Sequence, residues 1–129
     1  MLKARPAAEV EVQAIQVGPA VFVSNPAEYF VQYSLDIKKA SKFPFTFVVE
    51  LANGCVGYVP TEEAFGPHGG GYETRLTSYS NLEISAGRQF ADTGIGLANE
   101  MIPGKTPVPP PPPPFSSPWS YGNLPPELN

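Results

Sequence analysis

The chain has 129 residues, enough for one domain at most, and 17 of them are proline. Eleven of the prolines follow residue 102, so we expect residues 1–102 to fold and residues 103–129 to form a tail. The net charge of −4, with few and scattered basic residues, excludes the basic surface of a nucleic-acid-binding protein. No apolar run reaches the length of a transmembrane segment, and the single cysteine excludes an internal disulfide.

The first part of the chain has the pattern of a β-hairpin. Residues 9–17 alternate apolar and polar, which predicts a half-buried strand with Val10, Val12 and Ala14 on one face. A Gly-Pro pair at positions 18 and 19 then indicates a turn. Residues 20–23 are all apolar and predict a second strand that pairs with the first.

A helix is predicted to follow this hairpin. Asn25 is a suitable N-cap, Pro26 suits the first helical position, and Glu28 falls where a capping box has its acidic residue. The helix should run to about residue 40, and its expected apolar face consists of Phe30, Val31, Leu35 and Ile37.

The next elements complete a small α/β fold. Residues 45–51 are β-branched and aromatic and predict a buried strand, parallel to the earlier one across the helix. Residues 56–59 are short and extended, residues 60–63 begin a helical turn, and residues 66–72 form a glycine-rich loop. From residue 85 to residue 101 apolar and small residues recur at helical spacing despite three glycines, so packing must hold this helix. The predicted fold class is α/β, a small mixed sheet with two main helices forming part of a domain.

The tail, residues 103–129, is expected to be disordered. Its six consecutive prolines, residues 109–114, favour a stiff polyproline II segment, and the remainder has the composition of a flexible chain.

Three polar residues follow the predicted strands and are candidates for a site. They are Glu28, Tyr58 and Tyr72, and ligands of open α/β sheets bind beyond the carboxyl ends of strands. Each also has a structural interpretation. Glu28 fits a helix cap, Tyr58 fits a core tyrosine with a satisfied hydroxyl, and Tyr72 fits an anchor of its loop.

Two other reactive side chains are weaker candidates. His68, the one histidine, lies between a proline and three glycines, so we expect an exposed loop residue. A single histidine cannot build a zinc site, which usually takes three or four protein ligands. Cys55 has no histidine beside it and is expected to be a buried small residue rather than a nucleophile.

Three segments resemble motifs of the neutral, non-lysosomal ceramidases. Residues 25–30 resemble the family's Pro-small-Glu-Phe motif after an apolar strand. Residues 47–61 are similar to its strand, Asn-containing turn and Tyr-x-(Pro/Thr)-Thr segment, and residues 71–73 to its Tyr-Glu motif. The similarity covers about residues 10–101, in the family's order, and is closest to the shorter bacterial ceramidase-like relatives.

This resemblance implies part of a zinc-dependent amide hydrolase. The family binds zinc through two histidines, one glutamate and one tyrosine, and the matching residues here are Glu28 and Tyr58. Tyr72 matches a tyrosine that binds substrate or stabilises the oxyanion. The two histidines are expected N-terminal to residue 1, and His68 matches neither. Residues 1–102 are therefore expected to be the C-terminal segment of a catalytic domain, inactive without its upstream segment, whose substrate is a ceramide-like lipid amide.

A non-enzymatic function is the alternative. The proline run at residues 109–114 has the composition of ligands for SH3-type and WW-type modules, with Phe115, Trp119 and Tyr121 as further anchors. A tail without any partner fits the same composition.

Overall fold

The computed structural model describes residues 7–111 of the chain. The greater part of the predicted tail, residues 112–129, lies outside the described residues. This part includes Phe115, Trp119 and Tyr121, the aromatic residues suggested as anchors for SH3-type and WW-type modules. Residues 7–111 form five strands and two α-helices: β1 Gln13–Val17, β2 Ala20–Ser24, β3 Glu28–Tyr29, α1 Val31–Ala40, β4 Phe45–Val49, β5 Tyr58–Val59 and α2 Ala86–Glu100. Two single turns of 3-10 helix, Glu62–Phe65 and Tyr72–Thr74, lie between β5 and α2.

The main sheet has three strands in the order β1-β2-β4. β1 and β2 form an antiparallel hairpin, whose turn contains Gly18 with a positive φ of 57°. β4 pairs parallel with β2, and α1 is the crossover between them. The predicted hairpin, strand–helix–strand unit and small mixed sheet with two helices are confirmed.

Both helices cover one face of this sheet. The core combines β2 side chains such as Val21 and Val23 with Tyr33 and Ile37 of α1 and Phe90 of α2. Val10, Val12 and Ala14 pack against this core, as their alternation predicts. Within residues 7–111 no helix is long and apolar enough to cross a membrane.

Two glycines of α2, Gly87 and Gly94, let this helix pack closely against α1 and the sheet, and this packing offsets their low helix propensity. A Cβ built on Gly87 would lie 2.2 Å from the Tyr33 ring, and one on Gly94 would lie 2.5 Å from Val23. Neither site admits a side chain, so the backbone of α2 contacts α1 and the sheet directly. Packing therefore holds this helix together, as its composition predicts.

The predicted start of the first helix is wrong. α1 begins at Val31, and Glu28 lies in β3 instead of capping a helix. Asn25 is 2% exposed, and its side-chain oxygen accepts a hydrogen bond from the Ala27 backbone amide at 3.1 Å. The backbone amide of Asn25 donates to the Val49 carbonyl. The side-chain hydrogen bond of Asn25 thus stabilises a turn after β2. This local turn is the alternative to a helix N-cap for an asparagine.

Two predicted apolar surfaces also differ from the structure. On the predicted apolar face of α1, Ile37 is buried and Phe30 packs against the core, as predicted. Val31 is 71% and Leu35 51% exposed, contrary to the prediction, and Tyr33 completes the buried face. β4 is not fully buried either, because its alternate residues point away from the helices. Helices cover a single face of the sheet, so the opposite apolar residues of β4 remain exposed among the described residues.

Candidate functional site

A second, two-stranded sheet brings two of the predicted site residues together. β3 and β5 pair in parallel, with Glu28 opposite Tyr58 and Tyr29 opposite Val59. Adjacent strand residues point to opposite faces, and Tyr29 and Val59 are both buried. Glu28 and Tyr58 consequently point together to the other face, where both are partly exposed.

Backbone hydrogen bonds between two loops position this pair. Residues 25–28 follow β2 and residues 50–57 follow β4, and the parallel pairing brings both loops to one edge of the main sheet. The Val56 amide donates to the Pro26 carbonyl at 2.7 Å, and the Glu28 amide donates to the Gly57 carbonyl at 3.0 Å. These bonds fix the register of Glu28 against Tyr58.

The loop that follows β4 carries backbone strain. Leu51 and Asn53 have φ values of 53° and 59°, and the left-handed conformation is unusual for leucine. The Leu51 amide donates to the Ala27 carbonyl at 3.1 Å. This bond helps to hold the strained residue, and strain of this kind concentrates at functional sites.

A glycine is required at position 57, where the loop of residues 50–57 packs against the backbone of Tyr79. Its φ is 85°, and a Cβ here would lie 2.2 Å from the carbonyl oxygen of Tyr79. That carbonyl accepts a hydrogen bond from the Tyr58 amide at 2.7 Å. Gly57 therefore lets the Tyr79 backbone approach closely enough to hold Tyr58.

Tyr72, the third predicted residue, reaches the same place from a third segment. Its hydroxyl donates a hydrogen bond to the Tyr58 hydroxyl at 3.0 Å, and the two rings meet edge to face at 5.2 Å. The 3-10 turn that carries Tyr72 follows Gly70 and Gly71, both with positive φ. The structure thus assembles Glu28, Tyr58 and Tyr72, which are far apart in the sequence.

The hydrogen bonds of this group act on the Tyr58 phenol. They hold its pKa well above the ordinary value of 10.0, first through the bond with Tyr72 and next through hydrogen bonding to the Glu28 carboxylate. The nearby negative charge of Glu28 acts in the same direction. The raised pKa opposes loss of the Tyr58 proton, a loss that metal binding through the phenol oxygen would require.

Tyr79 is a fourth member of the site that the sequence does not indicate. Its ring lies 6.1 Å from that of Tyr58 and 6.3 Å from that of Tyr72, both edge-on. Tyr72 is 51% and Tyr79 43% exposed, so the three rings form an apolar wall open to solvent beside Glu28. Residues 73–82 have no period, and no sequence signal distinguishes Tyr79 from any other loop tyrosine.

The other two reactive residues lie outside this group. His68 is exposed in the glycine-rich loop, as predicted. Cys55 is exposed, so its predicted burial is wrong; its neighbour Val56 takes the inward position and packs against the core. Within residues 7–111 no three His, Cys, Asp or Glu side chains are grouped so that they could hold a metal ion.

The buried side of β3 anchors the site to the helices. The Tyr29 hydroxyl donates to the Gly87 carbonyl of α2 at 2.5 Å, and the Tyr29 and Tyr33 rings stack at 4.8 Å. Burial raises the pKa of Tyr29 well above its ordinary value. Glu28 therefore lies on a strand whose other residue is fixed in the core.

Comparison with known proteins adds no relative to these observations. No protein-family model matches the chain. Searches of curated proteins and of solved structures find no match either.

Glu28 and Tyr58 place one carboxylate and one phenol opposite each other across one β-bridge. Carboxylate oxygens are among the zinc ligands of proteins, and catalytic zinc usually takes three protein ligands and structural zinc four. One carboxylate and one phenol are therefore fewer groups than a zinc site needs.

Proposed function

We propose that the chain is one part of a zinc-dependent amide hydrolase that resembles the neutral ceramidases. Glu28 and Tyr58 are two of its four zinc ligands, and Tyr72 is a hydrogen-bonding residue for the substrate. One observation carries the proposal: these three residues were selected from separate motifs, and the fold brings them into one hydrogen-bonded group.

The residues of this chain would bind and orient the substrate. The Tyr72 side chain is 51% exposed, and its single hydroxyl proton is donated to Tyr58. An amide oxygen bound here would take over this hydrogen bond from Tyr58. The rings of Tyr72 and Tyr79 offer an apolar surface for an acyl chain beside the polar pair. When bound, zinc would supply an activated water and polarise the amide carbonyl.

The remaining ligands come from outside this chain. The chain has one histidine, His68, in the exposed loop, whereas the proposed site needs two. We infer that a segment supplying both histidines packs at the edge of the sheet where Glu28 and Tyr58 lie. Amide hydrolysis therefore requires that segment as well.

A zinc titration of the purified full-length chain tests the ligand assignment. With half of the ligands, zinc binding should be weak, with a dissociation constant on the order of tens of micromolar or weaker. Two ligands contribute too little binding free energy to offset the cost of ordering them. Glu28→Gln and Tyr58→Phe should each abolish this binding. Tyr79→Phe, which removes a hydroxyl from the same ring cluster, is the matched control and should retain it.

Three results would contradict the proposal. Zinc binding that is unchanged in both Glu28→Gln and Tyr58→Phe would remove these residues as ligands. Nanomolar binding lost in Glu28→Gln would show that the chain holds a complete site, contrary to the need for a second segment. A coding sequence that supplies no pair of histidines, either upstream or as a partner chain, would exclude the enzyme.

A further inference from the structure

The face of the main sheet opposite the helices is apolar and uncovered among the described residues. It consists of three alternate residues from each strand: Gln13, Ile15 and Val17 of β1, Ala20, Phe22 and Ser24 of β2, and Phe45, Phe47 and Val49 of β4. We call these nine residues the open face. Seven are apolar and none is ionisable.

Register places two of the three aromatic residues of the open face at its centre. Ile15, Phe22 and Phe47 lie side by side across the three strands, and the two phenylalanine rings stack at 5.0 Å. Phe47 is 48% and Val17 61% exposed. A contiguous apolar patch of this kind on a folded domain marks an interaction surface.

The chain leaves the folded part at one end of the open face. The Gly104 amide donates to the Gly18 carbonyl at 2.9 Å, and the Gln16 side chain donates to the Ile102 carbonyl at 2.7 Å. A Cβ on Gly104 would lie 2.8 Å from the Gly18 backbone, so the contact is close. The tail therefore starts at the β1–β2 turn, on the helix-covered side to which Gln16 points, and would pass around this turn to reach the open face.

The rest of the tail has the composition that this surface needs. Residues 115–124 contain Phe115, Trp119, Tyr121 and Leu124 and no Asp, Glu, Lys, Arg or His, so the segment carries no charge at neutral pH. An uncharged apolar surface is matched by an uncharged aromatic segment of the same chain. Pro118, inside this segment, restricts the backbone and lowers the entropy lost on ordering it.

The connection is long enough to bring this segment onto the open face. Ten residues, the number between Gly104 and Phe115, have a reach of roughly 31 Å at the 3.1 Å per residue of polyproline II. A five-residue strand is about 17 Å long at about 3.3 Å per residue. The reach of the connection therefore exceeds the length of the open face, so residue 115 is within reach of the far end of that face from the β1–β2 turn.

A second copy of the chain fits the open face less well than the tail. Stable interfaces between separate proteins use about 20 to 30 residues on each side, and the open face has nine. Separate chains also lose translational and rotational freedom on binding. A tethered segment binds at an effective concentration in the millimolar range, so a small surface is sufficient for it.

We propose that residues 115–124 of the same chain dock on the open face, with their aromatic side chains on Phe22 and Phe47. This gives the aromatic part of the tail a role within the molecule, separate from zinc binding. The docked segment shields the sheet from association with other chains.

Trp119 is the single tryptophan and reports on the docking directly. In the full-length chain its fluorescence should be shifted to shorter wavelength relative to the urea-unfolded chain, and acrylamide should quench it weakly. The double variant Phe22→Thr/Phe47→Thr should restore the unfolded emission and strong quenching with an unchanged circular dichroism spectrum. Leu35→Gln, which removes an exposed apolar side chain on α1, is the control and should leave Trp119 buried.

Acrylamide quenching of Trp119 in the wild-type chain tests whether the segment docks, even if the double variant does not fold. Emission and quenching equal to those of the unfolded chain would overturn the proposal. A short-wavelength emission that disappears on dilution, together with twice the monomer mass in light scattering, would assign the open face to a second copy. Concentration-independent burial in a monomer is the result that supports docking in the same chain.

Discussion

The helix-covered sheet and the loops that carry Glu28, Tyr58 and Tyr72 are stabilised by different interactions. Side-chain packing stabilises the first, where Gly87 and Gly94 let α2 approach α1 and β2 closely. Backbone hydrogen bonds between residues 25–28, 50–57 and 79 position the second, whose side chains remain partly exposed. Substitution should therefore affect global stability in the first region and the local geometry of the site in the second.

The largest effect is expected for Gly87→Val, which tests the packing of α2. Side-chain atoms at this position would overlap the Tyr33 ring, so either the ring or the helix must move. We expect the free energy of unfolding to fall by roughly 3 kcal/mol or more, a large part of the stability of a small domain. Urea unfolding followed by circular dichroism measures the change.

Gly96→Ala is the matched control for this substitution. Gly96 lies in the same helix, and a Cβ there meets nothing within 4 Å. Alanine should stabilise the helix by about 0.5–1 kcal/mol through propensity alone. Equal effects of Gly87→Val and Gly96→Ala would show that close packing does not stabilise α2.

Gly57→Ala is expected to lower the free energy of unfolding less than Gly87→Val does, but to disturb the geometry of Glu28 and Tyr58 strongly. The new Cβ would overlap the Tyr79 carbonyl, and φ at this residue is 85°. We expect a loss of roughly 2 kcal/mol in the free energy of unfolding, and loss of the weak zinc binding as Tyr58 is displaced from Glu28. Urea unfolding and zinc titration on the same sample separate the two effects.

Gly18→Ala isolates the contribution of backbone conformation. Gly18 also has a positive φ, of 57°, but a Cβ there meets nothing within 4 Å. Its cost should be about 1 kcal/mol, with zinc binding retained. Loss of zinc binding in Gly18→Ala as well would mean that global destabilisation, rather than the contact with Tyr79, removes the site.

The packed region was predictable from the sequence to a large extent. Alternation in residues 9–17, the Gly-Pro turn and the apolar residues 20–23 are sufficient to predict the hairpin, because burial of one face selects these patterns. The start of α1 was not predictable, because Asn25 serves a helix cap and a tight turn equally well. Exposure of Phe45 and Phe47 was not predictable either, since composition does not say whether one face or both faces of a sheet are covered.

The site was predictable only in part. The β-bridge between Glu28 and Tyr58 depends on the pairing of two loops, which no local pattern encodes, and these residues were selected through a resemblance. Tyr79 depends on the path of residues 73–80, which have no period. Long-range backbone hydrogen bonds, such as that from Tyr58 to Tyr79, leave no signature in residue types.

The smallest effect is expected at the surface of the packed region, for Asp36→Asn. Asp36 accepts hydrogen bonds from Arg88 at 2.8 Å and from Gln32 at 2.9 Å, and these hold its pKa below the ordinary 3.8. The folded state thus favours the charged carboxylate more than the unfolded state does. Its contribution to stability is present above about pH 4 and is lost as the pH falls through the lowered pKa of the folded state.

The measurement is the difference in urea midpoint between wild type and Asp36→Asn at pH 7, 4 and 2. The difference should be small at pH 7, because Arg88 and Asp36 are 43% and 28% exposed, and it should vanish at pH 2. Glu100→Gln, which changes an exposed carboxylate for which no partner is described, is the control and should show no such trend. A difference that persists at pH 2 would mean that Asp36 acts through packing rather than charge. The helix-covered region would then owe its stability to packing even at its surface, which would sharpen its contrast with the hydrogen-bonded site.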